Sequence, residues 1–347
     1  MAVIKPLSMT AQTAWQDLLR LLREEQVSTM RGTPIQKMIR GKPYWFDKYR
    51  LGTDTKERYI GPATPELSDM MERQRELQNN RKTAKQERSR LVRLLRSEGL
   101  MASDMSSGQM LSAMAHAGVF RLGGTLVGTQ AFRLYEGVIG VHLGADAVAT
   151  TNDYDIASFQ RLSFALKDAG DAVEPAIGDV LKDFHFDPVP TLGRGSTWKW
   201  RQTNQQTLVE FLAPCFDDSE GRVDLPALGV SAQSLHFLNY LIAAPIHVPL
   251  LYRDGALIQV PAPARFAVHK LIISERRRDG PESLKARKDR AQASLMMQVL
   301  AQEDPYALIE AVDDARDRGR SWVEKFKRGL DKTPLAAAAL ERARSEI

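Results

Sequence analysis

Two short stretches decide the fold: Phe120-Arg-Leu-Gly-Gly-Thr-Leu126 and Thr151-Asn-Asp-Tyr-Asp-Ile156. The second reads as a β-strand, on which alternate residues face the same side. Asp153 and Asp155 are therefore predicted to project together, while Tyr154 enters the core. Two carboxylates placed in this way can share a hard divalent cation, and Mg²⁺ prefers oxygen ligands completed by water and substrate phosphates.

The first stretch is predicted to hold phosphate. Gly123 and Gly124 can expose backbone N–H groups where a Cβ would block a phosphate, and Thr125 is expected to begin a helix whose N-terminus favours anions. The expected order is an apolar strand over residues 119–122, the Gly-Gly-Thr turn, a helix over residues 126–135 and then the acidic strand.

This order of elements resembles the polymerase-β-like nucleotidyltransferase superfamily, and the Thr-x-Asp-x-Asp form resembles its bacterial abortive-infection toxin branch. Residues 123–132, Gly-Gly-Thr-Leu-Val-Gly-Thr-Gln-Ala-Phe, together with the acidic strand resemble a largely uncharacterised bacterial nucleotidyltransferase-fold family. The resemblance implies an α+β fold with a small mixed sheet flanked by helices. It also implies a nucleoside triphosphate substrate and Mg²⁺ or Mn²⁺. Because 28 residues separate Gly124 from Asp153, more than in compact members, an extra strand or hairpin is expected within residues 137–144.

A third carboxylate on a neighbouring strand is implied by the same resemblance. Glu210 is the one acid within the apolar run of residues 207–214. An isolated acid inside a buried strand is costly unless it is paired or bound to metal. The predicted metal ligands are therefore Asp153, Asp155 and Glu210. Asp217 and Asp218 are reserve candidates.

A basic cluster follows the predicted sheet. Pro261-Ala-Pro263 is expected to start a helix after a hairpin. The resemblance implies that a Lys on this helix and a later Lys-Asp pair complete the nucleotide site, and Lys270, Lys288 and Asp289 match those positions. A compact ammonium suits a triphosphate as a point charge.

Each of these residues also has an ordinary structural interpretation. Asp153 and Asp155 can lie in a solvated turn that caps a helix near Ser158. Glu210 can face water at a strand edge, and Lys270 can lie on the solvated face of an amphipathic helix. On those terms the chain would be an inactive nucleic-acid-binding or regulatory protein on the same fold.

The N-terminal part mixes aromatic and basic residues. A β-hairpin is predicted between Tyr44 and Tyr59, and an unbroken polar helix, here called the arm, is predicted from Pro65 to Glu98. Aromatics beside cations suit single-stranded RNA or DNA, although aromatics on a hairpin are more often the packed face of a sheet. The arm carries a basic stripe suited to phosphate backbones, with a solvated helix face as the alternative. The residues of the stripe are Arg81, Lys85, Arg88, Arg90 and Arg93, with Lys82 and Arg96 as further members.

Length and composition frame these predictions. A chain of 347 residues with 43% hydrophobic content buries a sizeable core. We expect an N-terminal helix and hairpin in 1–64, the arm in 65–100, a catalytic domain in 101–262 and a C-terminal helical domain in 263–347. The single cysteine, Cys215, excludes an internal disulfide and fits a reducing compartment. No signal segment or apolar membrane-crossing run is visible, so a cytoplasmic location is expected.

Other catalytic signatures are absent or incomplete. Thr129 stands where a Walker A loop needs Lys, and neither a Gly-x-Ser-x-Gly elbow nor a complete Gly-x-Gly-x-x-Gly fingerprint follows a strand. The sequence thus predicts a magnesium-dependent transferase that moves a nucleoside monophosphate from a triphosphate to an acceptor hydroxyl or phosphate. The basic arm favours an RNA acceptor, as in an RNA-directed toxin or a tRNA modifier, over the alternative of a small-molecule adenylyltransferase.

Overall fold

The computed structural model describes residues 5–26, 32–39, 41–51, 54–143, 153–168, 172–190, 197–277 and 283–347. Within these ranges the chain mixes helices and strands, which confirms the predicted α+β class. The helices are α1 (Met9–Gln26), α2 (Pro65–Ser97), α3 (Met105–Ala117), α4 (Gly128–Phe132), α5 (Glu136–Ile139), α6 (Gln160–Asp168), α7 (Ile177–Lys182), α8 (Leu238–Leu241), α9 (Pro263–Ser274), α10 (Ser283–Glu303), α11 (Pro305–Asp317), α12 (Arg320–Asp331) and α13 (Pro334–Ser345). The strands are β1 (Lys5–Pro6), β2 (Thr33–Ile39), β3 (Lys42–Leu51), β4 (Asp54–Pro62), β5 (Thr125–Val127), β6 (Val141–His142), β7 (Asp153–Ala157), β8 (Phe186–Pro188), β9 (Lys199–Gln202), β10 (Leu208–Pro214), β11 (Arg222–Leu225), β12 (Val230–Leu235), β13 (Pro245–Leu250) and β14 (Ala256–Pro261).

The central sheet contains the acidic strand. Its main path is β11-β12-β10-β7-β5, and β9 with β8 extends from the N-terminal half of β10. β10 pairs in parallel with β7 and β12, whereas β5 pairs antiparallel with β7 and β9 antiparallel with β10. The sheet is therefore mixed, as predicted, and both strands expected to carry acids are neighbours within it.

The glycine-rich stretch folds differently from the prediction. Residues 119–122 form a turn, β5 begins only at Thr125, and α4 begins at Gly128. The strand predicted over 119–122 is wrong, and the helix predicted over 126–135 is present only as α4 over residues 128–132. The cause is local packing, because Gly118 ends α3 with a φ of 95° and a Cβ on Gly124 would lie 2.7 Å from the Val119 carbonyl oxygen. The chain needs these glycines to turn back before it can enter the sheet.

Part of the long segment before β7 contains extra structure. Helix α5 and the two-residue strand β6 occupy residues 136–142, and β6 pairs antiparallel with β1. The expectation of an extra strand is confirmed to that extent. Residues 144–152, including Thr151 and Asn152 of the acidic motif, lie outside the described residues.

The N-terminal elements follow the predicted order. The predicted hairpin is present as β3 and β4, and β2 adds a third antiparallel strand. Helix α2 spans 33 residues, about 50 Å at the usual rise of an α-helix. Trp45 is buried, and its indole nitrogen donates to Ser68 Oγ at 3.3 Å, which joins the small sheet to the start of the arm.

The C-terminal segment is helical, as predicted. Helix α10 packs against α9 and α13, and β13 with β14 forms the hairpin that precedes α9. Phe266 of α9 contacts the rings of Phe132 and Tyr135, so α9 is surrounded by protein on several sides. None of the described helices combines the length and apolar character needed to cross a bilayer.

Candidate functional site

Asp153 and Asp155 lie on β7 and share one face of the central sheet. Tyr154 and Ile156 are buried on the opposite face, at 4% and 0% exposure, while the two aspartates are partly exposed. The alternative of a helix-capping turn is wrong, because Asp153 and Asp155 belong to a paired strand and α6 begins only at Gln160. The two carboxylates therefore occupy the arrangement that the motif predicted.

Glu210 lies beside Asp155. The parallel pairing of β7 and β10 sets these two residues directly opposite each other, and the antiparallel pairing of β9 sets Lys199 on the other side of Glu210. Lys199 Nζ lies 2.5 Å from Glu210 Oε1. The third carboxylate is thus close to the pair and already neutralised by a cation on the next strand.

The reserve acids lie elsewhere. Asp217 and Asp218 are exposed and follow the far end of β10, several residues beyond the Glu210 position. Across the described ranges, no group of three or more His, Cys, Asp and Glu side chains is close enough to hold a metal ion as it stands. A metal at this site would therefore be held by the Asp153–Asp155 pair, with Glu210 joining only if its contact with Lys199 changes.

Asp155 lies among the negative charges of Asp153 and Glu210. Burial, together with the neighbouring charges of Glu210 and Asp153, raises the pKa of Asp155 to about 6, against the opposing effect of Arg277 and Lys270. Carboxylates crowded in this way repel one another unless a cation lies between them. The residues present therefore fit a divalent cation with oxygen ligands.

The backbone at Gly128 lies beside Asp155. Val127 pairs with Asp155 across β5 and β7, and the next residue, Gly128, has a φ of 70°. A Cβ at Gly128 would lie 3.0 Å from Asp155 Oδ2. Gly128 was not among the predicted site residues, although the short apolar run Leu126-Val127 followed by Gly128-Thr129 could have indicated it.

The predicted phosphate turn lies farther along the sheet. Thr125 pairs with Ala157 rather than with Asp155. Its hydroxyl is buried and accepts a hydrogen bond from Gln259 Nε2 at 2.9 Å. Gly123 and Gly124 precede it, so the structure brings Gly128, and not the Gly123–Thr125 turn, beside the carboxylates.

Lys270 is buried and paired, which overturns its solvated interpretation. Its Nζ donates to Asp289 Oδ1 at 2.5 Å, and Arg277 donates to Asp289 Oδ2 at 2.9 Å. Both cations oppose the rise in the pKa of Asp155. Sequence reasoning matched Lys270 and Asp289 but missed Arg277, which stands within the run Arg276-Arg277-Arg278.

Lys288 lies near the same cluster. Burial and the charge of Lys270 lower the pKa of Lys288, while Asp289 and Asp153 oppose that change. The side chain is partly buried and is close enough to Asp153 to feel its charge. We call Lys270, Arg277 and Lys288 the cationic wall. The charges of this wall and of the acidic pair interact, since Lys270 and Arg277 act to lower the pKa of Asp155 and Asp153 acts to raise that of Lys288.

The basic stripe of the arm is divided by burial. Arg88 is 3% exposed, and its guanidinium pairs with Glu25 at 3.1 Å and with Asp254 at 3.3 Å. The predicted nucleic-acid contact is therefore wrong for Arg88, which joins α1, the arm and the β13–β14 turn. Lys85, Arg90 and Arg93 are exposed, and Arg90 pairs with Glu87.

Two other predicted contacts lie outside what the structure describes. The side chains of Arg81 on the arm and Tyr59 on the hairpin belong to this group. Tyr44 at the start of the hairpin is partly buried, and its neighbour Trp45 is packed against the arm. The hairpin's nucleic-acid contact stays a prediction.

Comparison with known proteins yields two family matches. A model described as Nucleotidyltransferase matches residues 105–317, and a domain of unknown function, DUF6788, matches residues 12–69. No curated protein matches the chain. Among solved structures, an antigenic nucleotidyltransferase-like protein from Paracoccidioides brasiliensis is similar over 70% of this chain and 94% of its own. Its identity is 14% and its TM-score 0.37, so it adds no weight to the family match.

Proposed function

The chain belongs to the nucleotidyltransferase family, and from that premise we propose that it transfers a nucleoside monophosphate from a nucleoside triphosphate to an acceptor, with a divalent cation. The proposal rests on one observation above the others. Asp153 and Asp155 project from one face of β7, the charges of Lys270 and Arg277 act on Asp155, and a Cβ at Gly128 would lie 3.0 Å from Asp155 Oδ2. Acids for a metal and cations for phosphates therefore occupy one site.

Asp153 and Asp155 would hold the cation, which we propose to be Mg²⁺ or Mn²⁺. Bound there, it would polarise the phosphorus under attack and offset charge on the phosphate oxygens. Glu210 can contribute once Lys199 releases it. Because the pKa of Asp155 is raised to about 6, proton loss from this carboxyl would accompany cation binding at and below about pH 6.

The reaction breaks the bond between the α-phosphorus and the bridging oxygen of pyrophosphate. A new bond forms between that phosphorus and an acceptor hydroxyl or phosphate oxygen, and an attacking hydroxyl releases its proton to solvent. We propose that Lys288 and Arg277 neutralise the departing pyrophosphate. Lys270, fully paired with Asp289, holds Asp289 in place and thereby positions Arg277.

Incubation of the protein with α-labelled triphosphates, Mg²⁺ and either total RNA or total protein tests the proposal. Transfer of label to a macromolecule, together with release of pyrophosphate, is expected. Asp153→Asn should abolish transfer while leaving the circular dichroism spectrum unchanged. Undiminished transfer by Asp153→Asn would overturn the assignment of the site.

We propose RNA as the acceptor class, as in an RNA-directed toxin or a tRNA-modifying enzyme. The support is the exposed part of the basic stripe, since Lys85 and Arg93 are open to solvent. The exposed residues Lys82 and Arg96 extend the same stripe. Four cations on one helix can follow a phosphate backbone without sequence preference.

A second function is favoured by the Lys199–Glu210 ion pair. With Glu210 neutralised, only two carboxylates remain for a cation, and a chain of this kind can bind nucleotide without turnover. It would then act as a regulatory or nucleic-acid-binding protein on the transferase fold. This second function would be identified by nucleotide binding in calorimetry together with no release of pyrophosphate in the presence of any acceptor tested.

A further inference from the structure

We propose that the central sheet carries a second small-molecule site on the face opposite Asp153 and Asp155, and that this site takes a small organic anion. A cavity of about 180 Å³ opens there, next to Tyr154. A single water needs only about 10–15 Å³ of such space, so the cavity has room for a molecule of many atoms. Tyr154 stands between the two aspartates in sequence and points away from them.

The walls of the cavity come from five parts of the fold. Tyr154 belongs to β7, Phe186 to β8 and Gln202 to β9, and all three face the same side of the sheet. Ser107 belongs to the first turn of α3, and Arg133 follows α4. The pocket is therefore built from elements that the core already fixes, rather than from a single loop.

Arg133 is the residue that indicates an anion. It is partly buried in the cavity wall, yet its guanidinium makes no hydrogen bond or ion pair to any described residue. Asp104, whose charge interacts with that of Arg133, already has partners, since its carboxylate accepts from the backbone nitrogen of Ser107 at 2.9 Å and from the Ser107 hydroxyl at 2.5 Å. A guanidinium whose five donors meet no acceptor within the described part of the chain suits a carboxylate or a phosphate.

The other residues that line the cavity indicate the chemistry of the rest of the ligand. Phe184, Phe186 and Met110 give the cavity an apolar side. Tyr154 donates to Ser107 Oγ, so its hydroxyl can still accept a hydrogen bond. A compact planar or apolar body with one carboxylate or phosphate group therefore matches the cavity, and inorganic phosphate alone leaves the apolar side unfilled.

Saturation-transfer NMR with phenyl phosphate and with benzoate tests this site. Chelator is added to remove divalent cations. Two control probes are used: inorganic phosphate, which lacks the aromatic ring, and benzyl alcohol, which lacks the anionic group. We expect at least one of the two aromatic anions to bind, with inorganic phosphate and benzyl alcohol each at least about tenfold weaker. Arg133→Gln should weaken the binding of the aromatic anion by about tenfold, because a charge-assisted bidentate contact is lost. Arg161→Gln, which removes an exposed arginine from α6, should leave binding unchanged.

A second variant keeps the test valid if Arg133→Gln fails to fold. Ser106 lines the cavity and is exposed, so Ser106→Trp fills the entrance without disturbing a buried group and should abolish binding. Lys288→Met, which removes a cation of the cationic wall, should have no effect on this binding. Loss of binding in Lys288→Met but not in Arg133→Gln would place the anion at the cationic wall and overturn the proposal, as would the failure of both aromatic anions to bind the wild-type protein.

Discussion

At Asp155 the sheet holds a carboxyl under conditions that raise its proton affinity. The pKa rises from 3.8 to about 6, chiefly through burial and the charges of Glu210 and Asp153. Because the folded pKa lies above the unfolded one, the ionised carboxyl destabilises the folded protein above pH 6. That penalty disappears as the pH falls below about 4.

Asp155→Asn should therefore stabilise the metal-free protein at pH 8. A pKa displaced from 3.8 to about 6 corresponds to roughly 3 kcal/mol, or several degrees in Tm. Thermal unfolding of both proteins in chelator between pH 4 and pH 8 checks this. The difference should be largest at pH 8 and should close toward pH 4, and the exposed Asp187→Asn should show no such trend. A constant difference across the pH range would contradict the proposed cause.

Under the proposed function, Lys199 would compete with the cation for Glu210. Lys199→Met should raise the affinity for Mn²⁺ by about three- to tenfold, because removal of a partly exposed ion-pair partner frees one carboxylate. Electron paramagnetic resonance of free Mn²⁺ measures this directly. Lys199→Arg retains the pair and should bind as the wild type does. The double variant Lys199→Met with Glu210→Gln should lose the gain. An unchanged affinity in Lys199→Met would mean that Glu210 does not reach the cation.

At the scale of elements, α9 and α10 are joined by a buried ion pair. Lys270 and Asp289 are 4% and 2% exposed, so loss of Lys270 leaves Asp289 dependent on Arg277. Lys270→Met should destabilise the protein by about 3 kcal/mol, whereas Lys288→Met should cost little. Urea unfolding gives both values.

Nucleotide binding by Lys288→Met tests whether this lysine contributes to the nucleotide site as well as to the fold. Lys288→Met should weaken triphosphate binding more than monophosphate binding, because it removes charge near the β- and γ-phosphates. Calorimetry below the unfolding transition makes the comparison. Equal losses for both ligands in Lys288→Met would contradict the position of Lys288 in the cationic wall.

At the scale of the whole molecule, the arm both supports the core and presents charge. Arg88 connects it to α1 and to the β13–β14 turn through Glu25 and Asp254. Arg93 and Arg96 face solvent on the same helix. A variant that replaced buried Arg88 together with exposed Arg93 and Arg96 would mix an effect on folding with an effect on RNA binding. The buried and the exposed arginines therefore need separate variants.

Replacing Arg93 and Arg96 with Gln should weaken RNA binding and leave stability nearly unchanged. The slope of log affinity against log salt should fall by about 1.4, since two phosphate contacts to a single strand are lost. Arg88→Gln removes a similar charge but should destabilise the fold by about 3 kcal/mol and keep the wild-type slope. Electrophoretic shift titrations across salt concentrations check both. Identical slopes for all three proteins would leave the arm a structural element.

The sequence alone determined the elements whose signals are local. The alternation around Asp153 and Asp155, the unbroken polar run of α2 and the turn between β13 and β14 each depend on neighbouring residues, and each was predicted correctly. Turn residues and periodicity fix such elements before any tertiary contact forms. The four-part domain division stays a prediction.

Only the tertiary structure decided which charges meet. Whether Gly124 or Gly128 lies beside Asp155 depends on how the chain turns after α3, and that turn is fixed by packing against Val119. The pairs Lys199–Glu210 and Lys270–Asp289 join residues from different elements, and the burial of Arg88 depends on a turn 166 residues away. Periodicity carries no information about such distant partners, because a charged side chain looks the same in sequence whether it faces water or an opposite charge.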